Sequence, residues 1–169
     1  MDEVSLRPIT LAELSGLRHE IAVAERPSGR PPEFLVIRYS GEYRSGSAGR
    51  GDALYIVATA AAARKAWWSR STVLDFQDLE YHWGDEMEWV TSIVWDPVTC
   101  FHEPLSVVVG ERCRDALRSL LREGYARFCV ETLEQAFALC RQQEQVYDQR
   151  LMEFRDRTER GAAADRPRG

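Results

Sequence analysis

Lysine is almost missing from this chain: Lys65 stands alone, and arginine supplies the other basic residues. Between Ser71 and Glu111 neither basic residue occurs. Nine acids do fall there: Asp75, Asp78, Glu80, Asp85, Glu86, Glu88, Asp96, Glu103 and Glu111. With a net charge of -5, non-specific binding to nucleic acid is disfavoured. The clustering predicts an acidic face that would draw in a basic partner, although a solvated acidic edge would look the same in sequence.

Long apolar runs are also lacking. Nothing approaches the roughly 18–20 residues that span a bilayer, so no membrane partner is expected. The start, Met1-Asp2-Glu3, has neither the basic residues nor the apolar stretch of a secretory signal. The four cysteines, at 100, 113, 129 and 140, have no CxxC spacing. They read as reduced, mostly buried thiols of a cytoplasmic protein.

Catalytic signatures are equally scarce. There is no GxxxxGK[ST] or GxGxxG phosphate loop, no GxSxG elbow, no HExxH and no Cys/His zinc spacing. No cofactor or metal is therefore expected. Only three histidines occur, His19, His82 and His102. Cys100 and His102 are close in sequence, but no third group is placed to orient them, so a surface histidine beside a half-buried thiol is the expectation.

What is present is the pattern of an α/β domain. Thr10 and Glu13 have capping-box spacing, and Leu11, Leu14, Leu17, Ile21 and Ala24 follow at helical intervals. This predicts a helix ending before Pro27, and then a linker rich in Pro and Gly. Phe34–Tyr39, Ser71–Phe76, Leu105–Val109 and Arg127–Val130 read as strands. Helices are expected from Asp52, as N-cap, to Trp68, from Asp85 to about Trp95, from Cys113 to Leu121, and from Thr132 to about Thr158. Trp67 and Trp68 would point about 100° apart, one into the core and one partly out.

The alternation of strands and helices implies a mostly parallel sheet of four to five strands with flanking helices, one face better covered than the other. Residues 1–32 would form a helical appendage and linker, 33–158 the α/β domain with a long C-terminal helix, and 159–169 a disordered tail.

The most distinctive stretch is Glu80-Tyr81-His82-Trp83-Gly84-Asp85-Glu86-Met87-Glu88, aromatics and acids at a strand-to-helix turn. Sites in open parallel sheets gather beyond the C-terminal strand ends. His82, Asp85 and Glu86 could ligate a metal or act as acid and base, but Asp85 and Glu88 already have a use as N-cap and N3 residues, and acids suit a helix N-terminus. A contact surface made by Glu80, Tyr81, His82, Trp83, Asp85 and Glu86 is the preferred reading, since aromatics at an exposed turn anchor interfaces. Tyr147, Leu151 and Phe154 make a late apolar stripe, expected on the N-terminal helix or on a second copy of the chain.

The chain resembles the STAS domains of sulfate transporters and anti-sigma factor antagonists over about residues 34–142. Val36–Glu42 reads VIRYSGE and Val73–Tyr81 reads VLDFQDLEY, matching that family's strand ending in Gly-Glu and its later V-L-D strand. LSVVVG at Leu105–Gly110 and ETLEQA at Glu131–Ala136 match its end. The regulatory members carry Asp-Ser-Ser-Gly at the turn where Trp83-Gly84-Asp85-Glu86 stands here. No hydroxyl is available in those four residues for phosphorylation, and Asp85 would supply permanent negative charge. The resemblance implies a STAS-like fold and a regulatory, protein-binding role.

A non-catalytic binding or regulatory module with a basic protein partner is thus the leading expectation. The alternatives are an immunity protein neutralising a basic toxin, and a small-molecule enzyme using His82 and nearby carboxylates.

Overall fold

The apolar alternation of three strands builds a sheet that is buried on both sides. The structure, a computed structural model, describes residues 5–24 and 32–164. Its strands are β1 (Arg18–Ala24), β2 (Phe34–Glu42), β3 (Ser71–Glu80), the short β4 (Trp95–Asp96) and β5 (Phe101–His102), β6 (Leu105–Val109) and β7 (Cys129–Val130). The helices are α1 (Arg50–Trp67), α2 (Glu111–Leu121), α3 (Tyr125–Phe128) and α4 (Leu133–Ala164). The main sheet has the order β1-β2-β3-β6-β7, parallel except for antiparallel β1, and β4 and β5 form a separate small hairpin. The expected α/β class, mostly parallel five-stranded sheet and long C-terminal helix are present.

On one face Leu35, Ile37, Tyr39, Leu74, Phe76, Leu105, Val107 and Val109 meet Ala53, Ile56, Ala60 and Ala63 of α1, the 3-10 helix Met87–Val94, and Cys113 and Leu117 of α2. On the other, Phe34, Val73 and Val108 meet α4 through Ala136 and Cys140. Period-two burial in the strands and 3.6-period burial in the helices produce this division. All four cysteines are free thiols; burial pushes Cys113 and Cys140 up to about 11 and Cys129 up to about 12, and only Cys100 is exposed.

The N-terminal segment departs from expectation. Thr10 and Glu13 do form a capping box, but on a single 3-10 turn, Leu11–Glu13. The chain then becomes a strand, with Arg18 opposite Ser40 and Ala24 opposite Phe34. Residues 18–24 are thus the sheet's edge and not a helix. The physical reason is tertiary: without β1, β2 would present a long row of unpaired backbone groups, and pairing them outweighs local helical spacing. Gly16, just upstream, also disfavours a continuous helix. The linker residues 25–31 lie outside the described residues.

Other boundaries shift too: β2 and β3 run on to Glu42 and Glu80, past the expected Tyr39 and Phe76. The helix expected from Asp85 is the 3-10 helix Met87–Val94, and the hairpin β4–β5 follows where a loop was expected. Strand β7 holds only Cys129 and Val130. Helix α4 continues to Ala164, through residues assigned to the tail, while 165–169 lie outside the described residues. Contacts one turn apart line its later part: Gln149 donates to Glu153, and Thr158 donates to the carbonyl of Phe154.

Asp52 is not the N-cap of α1; that position is Gly49. The Asp52 carboxylate is fully buried in the first turn and accepts from the Ser15 hydroxyl at 2.5 Å, the Arg44 backbone N–H at 2.8 Å and the Arg44 guanidinium at 2.9 Å. Arg44 also donates to the carbonyl of Leu14. One carboxylate thus joins the N-terminal segment, the loop after β2 and α1. Asp52→Ala is expected to cost about 3 kcal/mol, because it strands buried donors. Urea melts check this, and a midpoint equal to that of the parent would refute the role.

Candidate functional site

β3 outlasts β6. Its pairing with β6 stops at Phe76, whereas its pairing with β2 continues to Glu80 opposite Glu42. The last residues of β3 therefore project beyond the C-terminal edge of the central strands, and residues 81–86 follow as a turn beside the loop 43–49. Sequence reasoning placed the candidate turn there, and the structure agrees on its position.

The turn is held to that loop by backbone and ring contacts. The Tyr43 hydroxyl donates to the carbonyl of Asp85 at 2.7 Å, and the Asp85 N–H donates to the carbonyl of Gly46 at 3.1 Å. The Tyr43 and Tyr81 rings meet edge-on at 5.1 Å. Burial raises both phenols above their ordinary pKa, so each stays a donor; Tyr81 donates to the carbonyl of Gly84. Glycine is required on each side of Tyr43. A Cβ on Gly84 would lie 2.7 Å from the Tyr43 ring, and one on Gly49 would overlap the same ring. Gly46 takes φ +60 and lies under the Trp83 indole.

The six nominated residues divide by burial. Tyr81 is a core residue, so it offers no exposed ring; this corrects the expectation of a fully exposed aromatic turn. Tyr81 is closed in because it packs on Tyr43 within the main core cluster. Glu80 is half-buried and forms an ion pair with Arg112, and His82 Nε2 lies 3.0 Å from the same carboxylate. Glu86, in the left-handed region at φ 69, lies 3.4 Å from the Arg50 guanidinium. Trp83, His82 and Asp85 face solvent. Asp85 makes no N-cap hydrogen bond; Glu86 occupies that position and makes none either.

The acidic face predicted from composition is neutralised in part, at four of its nine acids. Arginines from outside the acidic segment pair with Asp75 (Arg38), Glu80 (Arg112), Glu86 (Arg50) and Glu103 (Arg64). Asp85 and Glu88, beside Trp83 and Trp89, form no salt bridge among the described residues and are exposed. Composition along the chain could not reveal this, because each neutralising partner is remote in sequence.

A second feature escaped sequence reasoning. All five tryptophans are exposed, from 37% at Trp89 to 72% at Trp68. The expectation that Trp67 or Trp68 enters the core does not hold: α1 buries its stripe through Ala63, and Trp67 is the helix's last residue. Trp83, Trp89 and Trp95 flank or lie within the 3-10 helix Met87–Val94, which packs across α1. Trp83 lies against Gly46, just ahead of the N-terminal end of α1, whereas Trp67 and Trp68 stand at its C-terminal end. The late stripe behaves differently. Tyr147, Leu151 and Phe154 are half-buried, and Phe154 meets Phe101 of β5 edge-on at 6.2 Å, inside the same chain and not on the N-terminal segment.

Cys100 and His102, close in sequence, keep separate partners. The Cys100 thiol donates to the carbonyl of Pro97, while His102 packs on Trp95 and Phe128. Among the described residues no group of three His, Cys, Asp or Glu side chains is disposed to hold a metal ion. No helix among them is long and apolar enough to cross a membrane.

Gly84→Ala is expected to destabilise by about 2 kcal/mol, because Tyr43 and the carbonyl of Arg44 both stand where its methyl would go. Gly124→Ala, with open space around it, serves as the control and should stay within about 0.5 kcal/mol. Equal melting midpoints for the two variants would sink the two-sided fit of Tyr43. No protein-family model matches the chain, and no curated protein matches it.

Proposed function

We propose that this chain is a non-catalytic, cytoplasmic protein-binding module whose contact face is the turn of Trp83 and Asp85 together with Glu88 and Trp89 of the adjoining 3-10 helix. The observation that carries this reading is the exposure of every tryptophan in a folded chain. Tryptophan is on average a highly buried residue, and among contact residues it is over-represented where binding energy concentrates.

The rigidity of the turn supports the same reading. Trp83 rides on a segment tethered by Tyr43, Gly46 and Glu86, so little ordering would be lost on association. The partner would present basic side chains. A guanidinium or ammonium can stack on Trp83 or Trp89 while pairing with Asp85 or Glu88. Glu80 and Glu86 would support the contact indirectly by holding Arg112 and Arg50 in place. The four free cysteines support a reducing compartment. The STAS likeness belongs to the same proposal, supported by the parallel strands β2, β3, β6 and β7 and by the site's position after the VLD strand.

Recovery of partners by affinity capture from the native cell tests it. Trp83→Ala with Asp85→Lys is expected to reduce recovery of the specific partner at least about tenfold, as loss of an anchor would. Asp156→Ala, exposed on α4, which packs on the opposite face of the sheet, should leave recovery unchanged. Undiminished recovery by the double variant would remove the face from consideration. Reversing Glu80 or Glu86 is a poorer test, because each neutralises an arginine within the fold.

A further inference from the structure

A cavity of about 350 Å³ lies between the β4–β5 hairpin, α3 and α4. Phe101 and His102 come from the hairpin, Arg127 and Phe128 from α3, and Tyr147 and Arg150 from α4. Its size falls in the range of small-molecule sites, and its mixture of flat apolar surface with a few polar groups is their usual composition.

The charges in it are unbalanced. Glu103, the carboxylate on its wall, is taken by Arg64. Arg127 and Arg150 form no salt bridge and no side-chain hydrogen bond among the described residues. Each guanidinium lies over a ring, Arg127 at 5.0 Å from the centre of Phe128 and Arg150 at 6.0 Å from that of Phe101. The Nδ1 of His102 is shut off from solvent and has no hydrogen-bond partner among the described residues. Gln143, by contrast, is fully committed: it accepts from the N–H of Leu105 and donates to the carbonyl of Arg127, which ties α4 to β6 and α3. The walls are thus fixed by one set of groups while a second set is left without partners.

We infer that this cavity binds a small organic anion, with a flat apolar body lying among Phe101, Phe128 and Tyr147 and a carboxylate or phosphate head held by Arg127 and Arg150. The forked guanidinium matches both head groups. This inference is independent of the tryptophan face and stands or falls separately from it.

Calorimetric titration of the full chain with 2-naphthoate, 2-naphthyl phosphate and the neutral 2-naphthamide tests it. Saturable binding of at least one anion is expected, with the amide at least about tenfold weaker. Arg127→Gln and Arg150→Gln should each weaken the anion about fivefold or more and leave the amide unchanged. Circular dichroism confirms that the variants fold; neither side chain makes a hydrogen bond within the described chain. Equal affinity for acid and amide, anion binding indifferent to both substitutions, or no saturable binding of either anion at millimolar concentration would overturn the inference.

Discussion

Asp52 is a carboxylate with no exposure to water, in the first turn of a helix, surrounded by donors from two other stretches of chain. A buried charge is tolerated only when it is paired and hydrogen-bonded, and here Arg44 and Ser15 do both. The consequence reaches well beyond the ion pair. Arg44 follows Tyr43 directly, so fixing its backbone and side chain also fixes the ring that grips the turn after β3. The orientation of Trp83 is therefore set by a carboxylate it never touches.

The sheet was legible in sequence because its strands have apolar, largely β-branched centres bounded by turn residues. VVV in β6, and VLDF in β3, could hardly be read otherwise. The edge strand β1 was not legible, because Leu11, Leu14, Leu17 and Ile21 happen to fall at helical intervals while the decisive partner, β2, begins only at Phe34. The position of the candidate turn was legible from the end of β3. Its interior was not. Tyr81 looked like one more exposed aromatic, and only the facing Tyr43, with glycines on both sides of its ring, accounts for its burial. The cluster Gly46, Gly49 and Gly51 was the available clue: so many glycines after one tyrosine mark a close approach as readily as a loose loop.

Charge was the least transferable of the sequence signals. A segment without a basic residue is acidic as a string, yet in the fold Arg38, Arg50, Arg64 and Arg112 are brought to it from elsewhere. What survives at the surface near the turn is a small number of carboxylates between indoles. That mixture suits recognition of cations through ring faces and close pairing more than through a long-range field, which salt would screen within about 8 Å under physiological conditions.

The placement of the indoles also bears on how the molecule reports on itself. Emission from tryptophan in water is red-shifted relative to emission from an apolar interior. Trp68 and Trp83 are already mostly hydrated and the other three partly so, so the emission maximum should move less on denaturation than it would for a chain with fully buried indoles. Covering the same rings with another surface would change their environment far more. Intrinsic fluorescence is then a blunt instrument for following this fold and a sensitive one for following its associations.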